Sequence, residues 1–181
     1  HKRRLSAQLL EALNHTPHSP FHKLIQTPTS PKGLIKDNSI LRMLDQSLSD
    51  GVLFRLRRAN DGEPNLPVMT ELLFAFWWAV HDVFEEAWDL PPRKSRLMHG
   101  AGIISVGNLM DHIGLPPGPK KPLRPFYVER LSLLTKSCAW TEGTWNCQPP
   151  RRWNDIQNTR QDVALLTDFL QREYDTHRKA S

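Results

Sequence analysis

From Leu72 to Val80 the chain runs through nine consecutive apolar residues, and an apolar pattern extends beyond them. Leu73, Trp77, Val80, Phe84 and Ala87 recur at three- and four-residue steps, and Leu72, Phe76 and Val83 widen the stripe. Residues at that period line one face of an α-helix, and a helix apolar around most of its girth is central and buried. Thr70 is placed to cap its start, with Glu71 in the first turn, where the helix dipole favours negative charge. His81, Asp82, Glu85, Glu86 and Asp89 form the expected wet edge, and Pro91-Pro92 ends the pattern. The nine-residue run is far short of the roughly 20 apolar residues that span a bilayer. The helix is therefore expected inside a folded domain, with no membrane partner.

Other segments can be placed around it. Leu5, Leu9, Leu10 and Leu13 predict a helix over residues 4–14. His15 to Lys36, with Pro17, Pro20, Pro28 and Pro31, reads as a long ordered loop. A second helix begins near Asp37 or Asn38, runs through Ile40, Leu41, Leu44 and Leu48, and stops before Gly51. Residues 52–58 are either a short strand or hairpin or a continuing extended segment, and Asn60-Asp61-Gly62 signals a turn. Residues 95–113 predict a helix whose Gly100, Gly102 and Gly107 each cost about 1 kcal/mol relative to alanine. That cost implies close backbone approach, most simply against the bulky preceding helix. A helix is expected from about Pro125 to Ser137, and the Trp-rich stretch 138–158 has no clear period. The last helix starts at Thr159-Arg160-Gln161-Asp162, a capping-box-like sequence, and carries Val163, Leu166, Phe169, Leu170 and Tyr174 on one stripe.

The expectation is a mainly α, single helical domain of about five to six helices joined by Pro-rich loops. Residues 1–36 form a leading helix and loop, 37–137 the helical core, and 138–181 the Trp-rich segment and terminal helix. A chain of 181 residues is about one domain, and folding should bury roughly 70% of the surface its unfolded form exposes. No N-terminal stretch has the layout of a signal peptide, so a cytoplasmic location is expected. Because residue 1 is His, the chain is expected to be a piece of a longer protein.

Several chemistries find no support. There is no G-x-x-x-x-G-K-[ST] phosphate loop, and Gly100-Ala101-Gly102 with Gly107 lacks the spacing and preceding strand of a dinucleotide fingerprint. Cys138 and Cys147 stand nine positions apart, unlike a zinc knuckle, and are expected as free thiols or core residues. His15, His18 and His22 cluster in the Pro-rich loop, where solvation or hydrogen bonding is the expected role. His81, Asp82, Glu85 and Glu86 are expected on a solvated face. No cofactor, metal or catalytic residue is assigned.

The cations carry more information. Net charge is +4 over residues 1–68, −5 over 69–91, +6 over 92–136 and zero over 137–181, for a total of +5. Basic residues thus flank one acidic helix, a distribution suited to phosphate backbones. Besides Arg55-Leu56-Arg57-Arg58, the clusters Arg93-Lys94-Ser95-Arg96, Lys120-Lys121-Pro122-Leu123-Arg124 and Arg151-Arg152-Trp153 sit at element ends or in loops. Arg93, Lys94, Arg96, Lys120, Lys121, Arg124, Arg151 and Arg152 are the candidate DNA contacts, and Trp145 and Trp153 the candidate stacking residues. Trp77, Trp78 and Trp88 are expected in the core.

Longer stretches carry a resemblance. Ser19-Pro20-Phe21, then Glu71 to Val80 ending at Glu86-Ala87-Trp88, and Ser95-Arg96-Leu97-Met98-His99-Gly100-Ala101-Gly102-Ile103 continuing to Leu109-Met110-Asp111 occur in an order that resembles the second half of DGQHR-domain proteins. Cys138-Ala139-Trp140-Thr141, Gly143-Thr144-Trp145, Arg152-Trp153-Asn154, Gln157-Asn158-Thr159 and Asp162 with Leu165-Leu166 extend it. The similarity spans Ser19 to about Tyr174. The Asp-Gly-Gln-His-Arg motif itself is absent and would lie upstream of His1, in an α+β region. The resemblance implies a DNA-binding or regulatory component of a bacterial DNA-modification (phosphorothioation-like, DndB-like) or defence system. Its partners would be DNA, the upstream DGQHR domain and other DNA-modification proteins. The alternatives are a helical scaffold for partner modification proteins, or the non-catalytic half of a nucleotide-hydrolysing enzyme.

Overall fold

The computed structural model describes residues 2–118 and 122–181, with backbone only for residues 2 and 3. The helices are α1 (Lys2–His15), α2 (Asp37–Asp50), α3 (Val52–Ala59), α4 (Leu66–Val83), α5 (Gly100–Ile113), α6 (Leu123–Ser132) and α7 (Arg160–Ala180). Two-residue strands β1 (Ile25–Gln26) and β2 (Ile35–Lys36) pair in parallel, and β3 (Thr144–Trp145) and β4 (Arg151–Arg152) pair antiparallel. The protein is mainly α, as its periodicity predicts. No helix among the described residues is long and apolar enough to cross a membrane.

Helix α3 is a correction. Residues 52–59 form α3 and no strand or hairpin. Its start is held from far along the chain: Asp111 Oδ1 accepts from the Val52 amide at 2.9 Å and from Ser47 Oγ at 2.7 Å, while the Leu53 amide donates to Ser47 Oγ at 3.2 Å. Free amides at a helix start need such acceptors, and this one is supplied 59 positions away. Arg57 and Arg58 then occupy the last turn, where the dipole favours cations.

Helix α4 begins at Leu66, before Thr70, because the Asn65 side chain accepts from the Val68 amide at 3.3 Å and Pro67 in the first turn forfeits no hydrogen bond. It ends at Val83, well before Pro91. Turns follow through residue 89, with Asp89 in the left-handed region at φ 64°, so Glu85, Glu86 and Asp89 do not share a helical edge. Residues 95–99 are likewise outside α5, which His99 caps by accepting from the Ala101 amide through Nδ1 at 3.2 Å. Helix α6 starts at Leu123 and finishes at Ser132, with residues 133–137 in turns.

The core is built on α2, α5 and α7. Helix α5 packs against both of the others, α1 covers the far side of α2, and α4 pairs with α6. Gly107 of α5 closes on Met43 of α2, Gly100 on Ser39 of α2 and on Asn158, and Gly102 on the Arg96–Leu97 backbone, so the close approach expected of these glycines is not to α4. Four positions further along each helix from Gly107 and Met43 the order repeats, with Asp111 bonding Ser47, so α2 and α5 run in the same direction. On the other side Ser105 Oγ donates to the Val163 carbonyl (3.3 Å), Asn108 Nδ2 to Thr167 Oγ1 (3.2 Å), and His112 meets Asp175 at 2.8 Å. Helices α5 and α7 are therefore parallel as well. Parallel neighbours need long connections, which α3–α4 and the 114–159 segment provide.

Candidate phosphate-binding groove

The loop-borne cations separate into three groups. Arg96 is only 7% exposed, and its guanidinium donates to the carbonyls of Ile156 (2.9 Å), Pro92 (2.7 Å) and Asn154 (2.8 Å) while lying 5.6 Å from the Trp153 ring centroid. Burial, opposed by the nearby Asp155 charge, pulls its pKa below the ordinary arginine value. Arg124 grips Asp82 through two bonds, Nε at 2.8 Å and Nη2 at 2.9 Å, and covers the Trp78 ring at 5.2 Å. Arg151 does the same to Asp162, at 2.9 and 3.1 Å, and adds a bond to the Asp155 carbonyl at 2.7 Å. Arg96 and Arg151 tie loops to the helical body, and Arg124 ties α6 to α4. The near-burial of Arg96 corrects the expectation that it faces a phosphate, whereas Arg124 and Arg151 stay partly exposed beside their carboxylates.

Arg93, Lys94 and Arg152 form the second group, exposed and without a partner among the described residues. Lys120 and Lys121 lie outside the described residues. Trp145 is another correction: it is fully buried, with its ring 4.9 Å from Trp140 and 5.8 Å from Phe169, so neither face can meet a base. Trp153 is half-buried under Arg96. Trp77 and Trp88 are core residues as expected, and Trp78 is half-buried with its Nε1 donating to the His18 carbonyl at 2.9 Å.

The nucleophile and metal candidates separate too. His15 pairs with Glu11, whereas His18 packs edge-on against Phe74. Cys138 and Cys147 are free thiols, and burial, reinforced by the Glu173 charge, pushes the Cys138 thiol far above its ordinary pKa. Among the described residues no three His, Cys, Asp or Glu side chains converge as a metal site requires.

A different set of cations does converge. Helices α2 and α7 form the walls of a groove floored by α5. Arg42 and Gln46 stand on one wall, Arg160 and Thr167 on the other, and Asn108 below, around a hollow of about 370 Å³. A second, smaller hollow of about 150 Å³, where α2 and α5 begin, includes Lys36 and Asn158. Lys36, Arg42 and Arg160 are exposed and enter no ion pair among the described residues. The one carboxylate at the larger hollow, Asp168, is bound to Arg172 at 3.0 Å. The turn carrying Arg93 and Lys94 borders the smaller hollow through Pro92. Three parallel helices bring three positive dipole ends to this place, each equivalent to roughly half an elementary charge.

Sequence reasoning missed this groove because its cations come singly. Lys36, Arg42 and Arg160 belong to no cluster, and Arg160 reads as part of a helix start. The available signal is the polar face of α2, where Ser39, Arg42 and Gln46 recur at helical spacing between buried Ile40, Met43, Leu44 and Leu48.

Comparison with protein-family models, with curated proteins and with solved structures finds no match to this chain.

Proposed function

We propose that this chain is the DNA-contacting helical part of a bacterial DNA-modification or defence protein of the DGQHR type, and that it grips DNA through the phosphate backbone. The supporting observation is that Arg42 and Arg160 line one groove and Lys36 a second hollow, both beside the starts of the parallel helices α2, α5 and α7. Unpaired cations and helix N-termini both recognise phosphate and carry no base information, so contacts of this kind set position and affinity, not sequence. Arg93 and Lys94 extend the basic face at its rim, whereas Arg96 and Arg151 serve by holding loops in place and Arg124 by holding α6 to α4.

A labelled duplex titrated by fluorescence anisotropy tests this reading. Affinity should fall steeply as salt rises, with a log–log slope of about −0.9 for each phosphate neutralised. Charge reversal of Lys36 and Arg160 together should abolish retention of the duplex. A flat salt response, or binding that survives the reversal, contradicts it.

One observation favours a second reading, that of a partner-docking scaffold. An apolar hollow of about 540 Å³ opens at the start of α4 between His18, Leu66, Pro67 and Phe74. Pull-down of partner modification proteins that is lost on Phe74→Ser and unaffected by the Lys36 and Arg160 reversal would support that alternative.

A further inference from the structure

The smaller hollow has a chemistry of its own. It lies where α2, α5 and α7 start, and Gln26, Lys36, Ser39, His99, Gly100 and Asn158 contribute to its wall, with no carboxylate among its described lining. No side chain caps the start of α2, so its first-turn amides lack the usual side-chain acceptor. Ser39 is only 4% exposed, yet its hydroxyl makes no hydrogen bond within the described residues and faces this hollow. The oxygen is reached from the hollow, so a ligand oxygen placed beside it can accept its hydrogen bond. Gly100 lets the Asn158 amide and Ser39 hydroxyl lie close against α5, because a Cβ there would collide with the Asn158 amide and stand 2.6 Å from Ser39 Oγ.

Polarity is set in the same direction throughout. His99 Nδ1 accepts from the Ala101 amide, which leaves Nε2 as the protonated donor of a neutral ring. Burial first, then the charges of Arg96 and Lys36, hold His99 down to a pKa of about 4. The ring therefore stays neutral at physiological pH, and the positive field is left to Lys36, Arg96 and the helix ends.

From this geometry we infer that the hollow is a binding site for one tetrahedral oxyanion of the phosphate class, coordinated by Lys36, the Ser39 hydroxyl, the Asn158 amide and the start of α2. It rests on the DNA reading only for the source of the phosphate, which is either a backbone phosphodiester or a free phosphate.

The test is an amide-resolved NMR titration of the full chain with inorganic phosphate, against chloride at matched ionic strength, beside anisotropy with a duplex. Saturable shifts confined to residues 36–39, 99–101 and 158 are expected. Lys36→Gln should weaken binding roughly tenfold or more, the size of a lost charge-assisted hydrogen bond. Gly100→Ala should weaken binding by displacing the Asn158 amide and the Ser39 hydroxyl, with Ser39→Ala as a milder second variant, and Arg152→Gln should change nothing. Phosphate that displaces the duplex identifies the backbone as the source. Phosphate binding without duplex binding leaves the site standing and removes the DNA reading. Phosphate shifts no larger than those of chloride, or shifts unaltered in Lys36→Gln and Gly100→Ala, overturn the site, whatever the duplex does.

Discussion

Replacing Arg96 should damage the fold far more than any DNA contact it was expected to make. Its guanidinium forms three charge-assisted bonds to carbonyls, at 2.7, 2.8 and 2.9 Å, and is nearly enclosed. Hydrogen bonds from charged groups contribute roughly 1.5 kcal/mol or more each. Water can recover part of the loss at the rim, where Pro92 and Asn154 are partly exposed, but not at the buried Ile156. Arg96→Met should therefore cost about 3–4 kcal/mol. Because one kcal/mol moves the Tm of a chain this size by about 2–4 °C, the midpoint should fall by roughly 6–16 °C. Arg96→Lys keeps the charge but cannot reproduce the planar fork, and should fall between the two. Urea unfolding followed by tryptophan fluorescence measures the difference. An Arg96→Met protein within about 1 kcal/mol of the parent would refute the reasoning, since surface substitutions produce changes of that size.

Two further outcomes follow from the same contacts. Trp145→Ala should cost about 3–5 kcal/mol, as removal of a fully buried aromatic ring does, and Trp145 emission should not respond to added DNA; calorimetry and quenching of single-tryptophan variants check both. Asp162 is held below its ordinary pKa of 3.8, first by its bonds to Arg151 and then by the Gln157 amide. A depressed carboxylate contributes stability that is complete above the unfolded value and is lost as pH falls through the folded one. Urea midpoints of Asp162→Asn should thus fall less on acidification below about pH 4 than those of the parent. Asp111 has the opposite sign, because burial raises its pKa, and its contribution is lost as pH rises through the folded value.

What the sequence reveals and what it hides divide along one line. Local periodicity shows α1, α2 and α7 with nearly their observed limits, since Leu5, Leu9 and Leu13, or Val163, Leu166 and Leu170, mark one face unaided. Helix α3 is hidden because its cap is Asp111, and the end of α4 because the turn at Asp89 follows from tertiary contacts such as Ser95 Oγ donating to the Ala87 carbonyl at 2.7 Å. For the site, clustering of Arg and Lys in sequence is a poor guide. Adjacent cations such as Arg151 and Arg152 point to different fates, one locked to Asp162 and one exposed. Arg42 and Arg160 face one groove only because α2 and α7 both flank α5 in parallel, and no local pattern reports that pairing.

We propose that the α2–α5–α7 groove neutralises DNA phosphates. It is tested most directly by comparing the salt dependence of duplex affinity for the parent chain and for the triple variant Lys36→Gln, Arg42→Gln, Arg160→Gln. If each of the three residues neutralises one phosphate, the slope of log affinity against log salt should become shallower by about 2.7. An unchanged slope, with the variant folded as stably as the parent, would contradict the account.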